Sequence, residues 1–215
     1  MKKKEIDPFD WDRISIEKYY EIVDILNDEA DDDITKNVKL VSVILDKDEK
    51  DIWDMDLTEV GGYIARLQFL NKFDIDDHPT KKIKLPSYDL VVMKDLSKIN
   101  VAQYVDYQNF ITLPLREGID KILSIFLIPE GLKYNDGYDI LDVQKEIRQS
   151  MSFRVAEGLL GFFLRKYGEL LVHSLGYCRR KMMKTKNQEE KEELEKKTQQ
   201  LVKTLKDLTV LVGCS

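Results

Sequence analysis

Residues 101–166 read VAQYVDYQNFITLPLREGIDKILSIFLIPEGLKYNDGYDILDVQKEIRQSMSFRVAEGLLGFFLRK. Apolar positions recur here every three or four residues, the mark of helices with one buried face. The runs are joined by Pro129-Glu130-Gly131 and Asn135-Asp136-Gly137, where proline fixes φ and glycine supplies the left-handed region that turns need. The first run, 101–111, displays Tyr104, Tyr107 and Phe110. A second, 119–128, is short and apolar and is ended by Pro129 and Gly131. A third, 139–149, is led by an acid. The last starts near Ser152 and carries Phe153, Ala156, Leu159, Leu160, Phe163, Leu164, Tyr167, Leu170, Leu171 and Leu175. A stripe that wide suits a buried helix, so this element is expected to organise the core of the C-terminal part. Gly158, Gly161 and Gly168 are expected to let neighbouring helices approach it closely.

Upstream, KKIKLPSYDLVVMKDLSKI alternates enough to predict a hairpin over Ile83–Val92, turned at Pro86-Ser87. A two-stranded hairpin is marginal in water, so it should pack on flanking helices or pair with another chain. Residues 72–80, KFDIDDHPT, read as a polar hinge. Before it, Ile16, Tyr19, Tyr20, Val23 and Leu26 predict a helix over 15–28 with Ser15 as its cap. Ile34, Val38, Val41, Ile44 and Leu45 predict another, capped by Asp33 or an adjacent aspartate. A short turn at Ile52–Trp53 precedes a helix burying Val60, Ile64, Leu67 and Leu70. Gly61-Gly62 costs that helix about 1 kcal/mol per glycine, so the pair is expected to permit close packing or to mark a late start. The fold class expected is therefore mainly α, a multi-helix protein with one small β-hairpin. Its parts are an extended arm over 1–14 offering Phe9, Trp11 and Ile14, a helical subdomain over 15–80, the hairpin plus a second helical subdomain over 81–178, and a charged helical extension over 179–215.

The 215 residues, 43% of them hydrophobic, suffice for a sizeable core without covalent staples. Cys178 and Cys214 are too isolated to suggest a disulfide framework or a metal site. The leading MKKKEIDPFDWDR has no apolar run after its lysines, which argues against export. No apolar stretch reaches the ~18 residues of a membrane span. A net charge of −6 and a pI near 5.2 oppose nucleic acid over most of the surface.

Motifs with chemistry are sparse, and no catalytic residues are expected. NDEADDD lacks the ligand alternation, central glycine and distal glutamate of a calcium loop. The glycine pair lacks the strand, third glycine and Lys-Ser/Thr of a phosphate loop. His78 and His173 have no partner at ligand spacing. The serines have no nucleophile-elbow context, and the carboxylates fall in polar runs. No metal or cofactor is expected. Tyr104, Tyr107 and Phe110 could stack on bases, but Asp106, Gln103 and Asn109 accompany them in place of arginine and lysine. Arg179, Arg180, Lys181, Lys184 and Lys186 form a basic cluster whose field the following glutamates cancel in large part. The closing LTVLVGC is expected to dock on this chain or on a partner.

The order of the early tryptophan and ISIEKYYEIVDIL, a variable acidic helix, VKLVSVIL, a short hairpin and DLSKINVAQYVDYQNFI resembles small proteins from the tail modules of tailed bacteriophages, those infecting gut Bacteroidota above all. LSIFLIPEGLKYNDGYDILDVQKEIRQSMSFRVAEGLLGFFL continues the resemblance, which covers roughly residues 11–185. Such proteins are described as tail assembly chaperones. The resemblance implies a non-catalytic protein of the host cytoplasm that covers the helices of the tape measure protein until tail-tube subunits polymerise. The contact surface expected from the residues is Tyr104, Tyr107 and Phe110 with Phe162 and Phe163, and Tyr107→Ala should then weaken partner binding while sparing stability. Self-association or another tail protein is a further partner expectation. The alternative is a structural virion component whose hairpin pairs edge to edge between subunits. A third reading is a regulator touching nucleic acid through Arg179, Arg180, Lys181 and Lys184.

Overall fold

The computed structural model describes residues 7–73, 80–185 and 187–212, except for the side chains of 201 and 204–212. Polar caps set most of the helix starts within them. Ser15 Oγ accepts the Lys18 N–H at 3.2 Å to open α1 (Ile16–Asn27), and Asp32 accepts that of Thr35 at 2.7 Å to open α2 (Asp33–Leu45). Asp46, at φ 53, closes α2 in the left-handed region. The short α3 (Glu49–Trp53) leads to α4 (Leu57–Arg66), capped by Asp56. Helices α5 (Val101–Phe110), α6 (Leu115–Phe126), α7 (Ile140–Ser150), α8 (Phe153–Lys184) and α9 (Gln188–Val212) follow. The protein is mainly α.

The expected hairpin forms as β1 (Lys82–Lys84) against β2 (Asp89–Val92), and it gains a third antiparallel strand, β3 (Leu127–Pro129). Residues 127 and 128 were expected to be helical. Instead α6 starts four residues earlier than expected, at Leu115, and gives way at Phe126. Pro129 disfavours helix for Ile128, while Met93 N–H donates to Phe126 O at 2.9 Å and Glu130 N–H to Asp89 O at 2.8 Å. The weakness of a lone hairpin is thus answered within the chain, and Leu90, Val92 and Leu127 are buried.

Of the expected arm, residues 1–6 lie outside the described residues, and its three apolar residues beyond them dock on the fold. Phe9, Trp11 and Ile14 are buried, and the Trp11 indole N–H donates to Phe69 O at 3.1 Å and to Lys72 O at 2.9 Å. The arm also reaches the start of α8: Phe153 N–H donates to Ile14 O at 2.7 Å and Ile16 N–H to Met151 O at 3.2 Å. The expected division near residue 80 is crossed by one continuous apolar cluster running from Phe9 to Leu171. Of the polar hinge predicted there, 74–79 lies outside the described residues. Arg148 ties α7 to α6, donating to Asp120 Oδ1 at 3.0 Å and to Arg116 O at 2.7 Å.

Four of the glycines behave differently from expectation. A Cβ placed at Gly61, Gly62, Gly161 or Gly168 meets nothing within 4 Å. None of these four is needed for close packing, and Gly61-Gly62 lies inside α4 instead of at its start. The close approach is at Gly118, where a Cβ would stand 3.1 Å from Phe110 O at the α5–α6 corner. The composition change at Arg179 does not break the chain's course either. Helix α8 continues through its 32 residues to Lys184, about 48 Å at 1.5 Å per residue. Helix α9 packs back along it, with Cys178 and Leu194 buried.

Burial raises the Glu157 carboxyl above its ordinary value of 4.5. Between that value and the raised one, the folded chain holds a proton that the unfolded chain has released. Stability therefore falls as pH rises through the window, and the deficit persists above it. Glu157→Gln is expected to flatten this dependence and to raise the melting temperature at neutral pH but not in acid, as read by thermal melts at both.

Candidate helix-docking site

Helix α5 departs from the ordinary pattern of a surface helix at Gln103 and on its outer face. Its Gln103 is 2% exposed, whereas Val101 is 80%, Tyr104 47% and Val105 49% exposed. A buried polar side chain opposite exposed apolar ones is the informative departure from ordinary burial. The inward glutamine has a structural cause. Where α6 yields to β3, its last carbonyls lose their intrahelical donors. Leu127 N–H serves Leu123 O, Met93 N–H serves Phe126 O, and the Gln103 side chain donates to Ile125 O at 2.8 Å. The same amide accepts the Asn100 N–H at 3.0 Å while Asn100 accepts that of Gln103 at 2.9 Å, a reciprocal cap that fixes the helix start.

Nothing comparable explains the outward face. Val101, Tyr104 and Val105 stand at i, i+3 and i+4, and Gln108 continues the row at i+7, its amide donating to the Tyr167 hydroxyl of α8 at 3.1 Å. The only ionisable carboxylate of α5, Asp106, accepts the Tyr134 hydroxyl at 2.7 Å. Together with burial, that contact pushes the Tyr134 pKa well above its ordinary value. What the helix offers solvent is an uncharged apolar ridge on a chain in which 34% of residues are charged.

The five aromatics expected to form a contact surface separate into two groups. Tyr107 and Phe163 are each 2% exposed and belong to the core. Tyr107 lies 4.6 Å from Tyr167 and 5.7 Å from Phe126, ring centre to ring centre, and Phe126 stacks on Phe163 at 4.5 Å. Neither can meet a partner, which corrects the expectation for both. Phe110 and Phe162 are half-buried against the same core, and Tyr104 alone of the five is freely exposed. Each step of three residues turns a helix by about 60° short of a full circle. Tyr104, Tyr107 and Phe110 therefore spread over about 120°, which leaves Tyr107 within the buried face and Tyr104 at its exposed edge. Val101 and Val105 carry no motif that sets them apart in sequence; the Asn-x-x-Gln capping signature at 100–103 is the signal that marks Gln103.

The basic cluster lies on the distal part of α8. Lys181 is engaged by Glu190 at 2.7 Å, while Arg179, Arg180 and Lys184 are exposed. Lys186, His78, Cys214 and the side chains of the closing LTVLV fall outside the described residues. The free edge of β1 is three residues long and carries Lys82 and Lys84, the charges that discourage edge pairing. Among the described residues no group of His, Cys, Asp and Glu could hold a metal ion, and no helix is long and apolar enough to cross a membrane. No protein family, curated protein or solved structure matches the chain.

Proposed function

We propose that the protein is a non-catalytic helix-docking protein, and that it serves as a tail assembly chaperone for the tape measure protein of a tailed bacteriophage. The observation that carries the docking reading is the exposed apolar row of helix α5. Val101, Tyr104 and Val105 form a ridge onto which a partner helix can lay its apolar i, i+3, i+4 and i+7 side chains. With Asp106 occupied by Tyr134, recognition there is by apolar shape and not by charge. That suits a long partner whose helices vary in sequence but keep an apolar stripe. The tape measure protein is named on the sequence resemblance, and the host cytoplasm with it.

The test is co-expression of the tagged chain with the tape measure protein, comparing the wild type with Val105→Asp. Val105 is 49% exposed, so the aspartate stays hydrated and the melting temperature should hold. Affinity should fall by about tenfold or more, since each 1.4 kcal/mol of lost contact is one decade. Unchanged capture by the variant would remove α5 as the site. Recovery with portal, tube or capsid proteins, and retention in finished particles, would replace the chaperone reading with that of a virion component.

A further inference from the structure

The α8–α9 turn holds a second feature, independent of α5. An open groove of about 430 Å³ is lined by Arg179, Met182, Met183, Thr185 and Lys191. Arg179, Met182 and Met183 stand at i, i+3 and i+4, so they share one face of α8 near its end. Lys191 reaches the groove from the first turns of α9, and Thr185 sits at the break between the helices. Met183 is 79% exposed. Two adjacent methionines on a helix end, neither needed for the core, make a flexible and polarisable floor able to mould to different apolar side chains.

The rim gives the floor its selectivity. Lys181 and Thr185 both engage Glu190, an acid adjoining Lys191. Arg179 and Lys191 form no ion pair among the described residues. Cations beside an apolar floor complement a segment that carries carboxylates next to apolar side chains. The remaining surface works in the same direction, because a chain of net charge −6 turns an acidic segment away from most other approaches. Nucleic acid fits less well, because the methionine floor offers nothing to sugar or phosphate.

We infer that the tip of the α8–α9 hairpin is a docking site for an acidic amphipathic helix, seated with its apolar side chains on Met182 and Met183 and its carboxylates on Arg179 and Lys191. The chain's methionines make the test direct. Of six in the sequence, Met182 and Met183 report the groove, while Met93 and Met151 lie elsewhere in the fold. The full chain, labelled at the methionine methyl carbons, is titrated with a synthetic helix bearing leucine at i, i+3, i+4 and i+7 and glutamate between. The Met182 and Met183 signals should shift saturably while those of Met93 and Met151 stay in place. The combined variant Arg179→Glu and Lys191→Glu should weaken the response at least about tenfold, and added salt should weaken it too. Stationary Met93 and Met151 signals in that variant show that it is folded.

Silence at Met182 and Met183 overturns the inference, and so does an equal response to the same helix with lysine in place of glutamate. A saturable response to single-stranded DNA exceeding that to the acidic helix would assign the tip to nucleic acid instead. Val105→Asp leaves this titration unchanged, so failure at the tip and failure of the α5 reading are separate results.

Discussion

Trp11→Ala is expected to lower the unfolding free energy by about 3–5 kcal/mol, as for large aromatic truncations in cores, and the melting temperature by on the order of 10 °C for a chain of this size. Trp11 is only 5% exposed, with rings of Tyr19, Phe69, Phe73 and Phe153 around it at 4.8 to 6.5 Å. Its indole N–H also serves two carbonyls, of Phe69 and Lys72. Truncation therefore opens a cavity and leaves those oxygens without their donor. Trp11→Phe separates the two losses, keeping much of the ring packing and giving up the hydrogen bonds, so it should fall between wild type and Trp11→Ala. Fluorescence provides a second readout. Trp53, the other tryptophan, is 54% exposed, so Trp11→Ala should leave only the red-shifted emission of a solvated indole. A variant as stable as wild type would mean that the arm contributes nothing to the core.

Tyr107→Ala is expected to cost a similar 3–5 kcal/mol. Sequence reading alone had predicted the reverse, lost binding with stability spared. Burial pushes the Tyr107 hydroxyl far above its ordinary value of 10.0, with the nearby Tyr167 adding to the shift. That hydroxyl has no hydrogen-bond partner among the described residues. Tyr107→Phe should consequently be neutral or stabilising by up to about 1 kcal/mol, because it removes a polar atom whose desolvation nothing offsets. Denaturant unfolding of both variants checks this pattern. Tyr104→Ala completes the comparison: three residues away at the exposed edge of α5, it should leave stability nearly unchanged and weaken partner binding. If Tyr107→Ala spares stability, the assignment of the two faces of α5 is wrong.

What could be read without coordinates was local. Ser15, Asp139 and Ser152 announce their helices because a short oxygen-bearing side chain before an apolar-periodic run meets an N–H of the first turn, a contact that lies within three residues. The wide stripe of α8 likewise required burial. Strand β3 was not legible, since Leu127 and Ile128 continue the period of α6 and only pairing with the distant Val92 and Val91 makes them a strand. Nor was the choice between Tyr104 and Tyr107. Both are tyrosines on one short helix, and which is buried depends on where Ile125 O needs the Gln103 amide. The groove at the α8–α9 turn depends in the same way on α9 folding back, which brings Lys191 beside Arg179.

The pairing of Ile14 and Ile16 with Phe153 and Met151 bears on the order of events during synthesis. Residues 14 and 16 close against residues that emerge from the ribosome only after α7 is complete. At about 5–20 residues per second the arm waits on the order of ten seconds for its seat. Until then Trp11 lacks the Phe153 side of its pocket, and contacts so distant in sequence must overcome a large loop-closure entropy before they stabilise anything. Co-translational folding of this protein should accordingly show one late acquisition of protease resistance, after α8 has left the exit tunnel, in place of a gradual gain from the N-terminus.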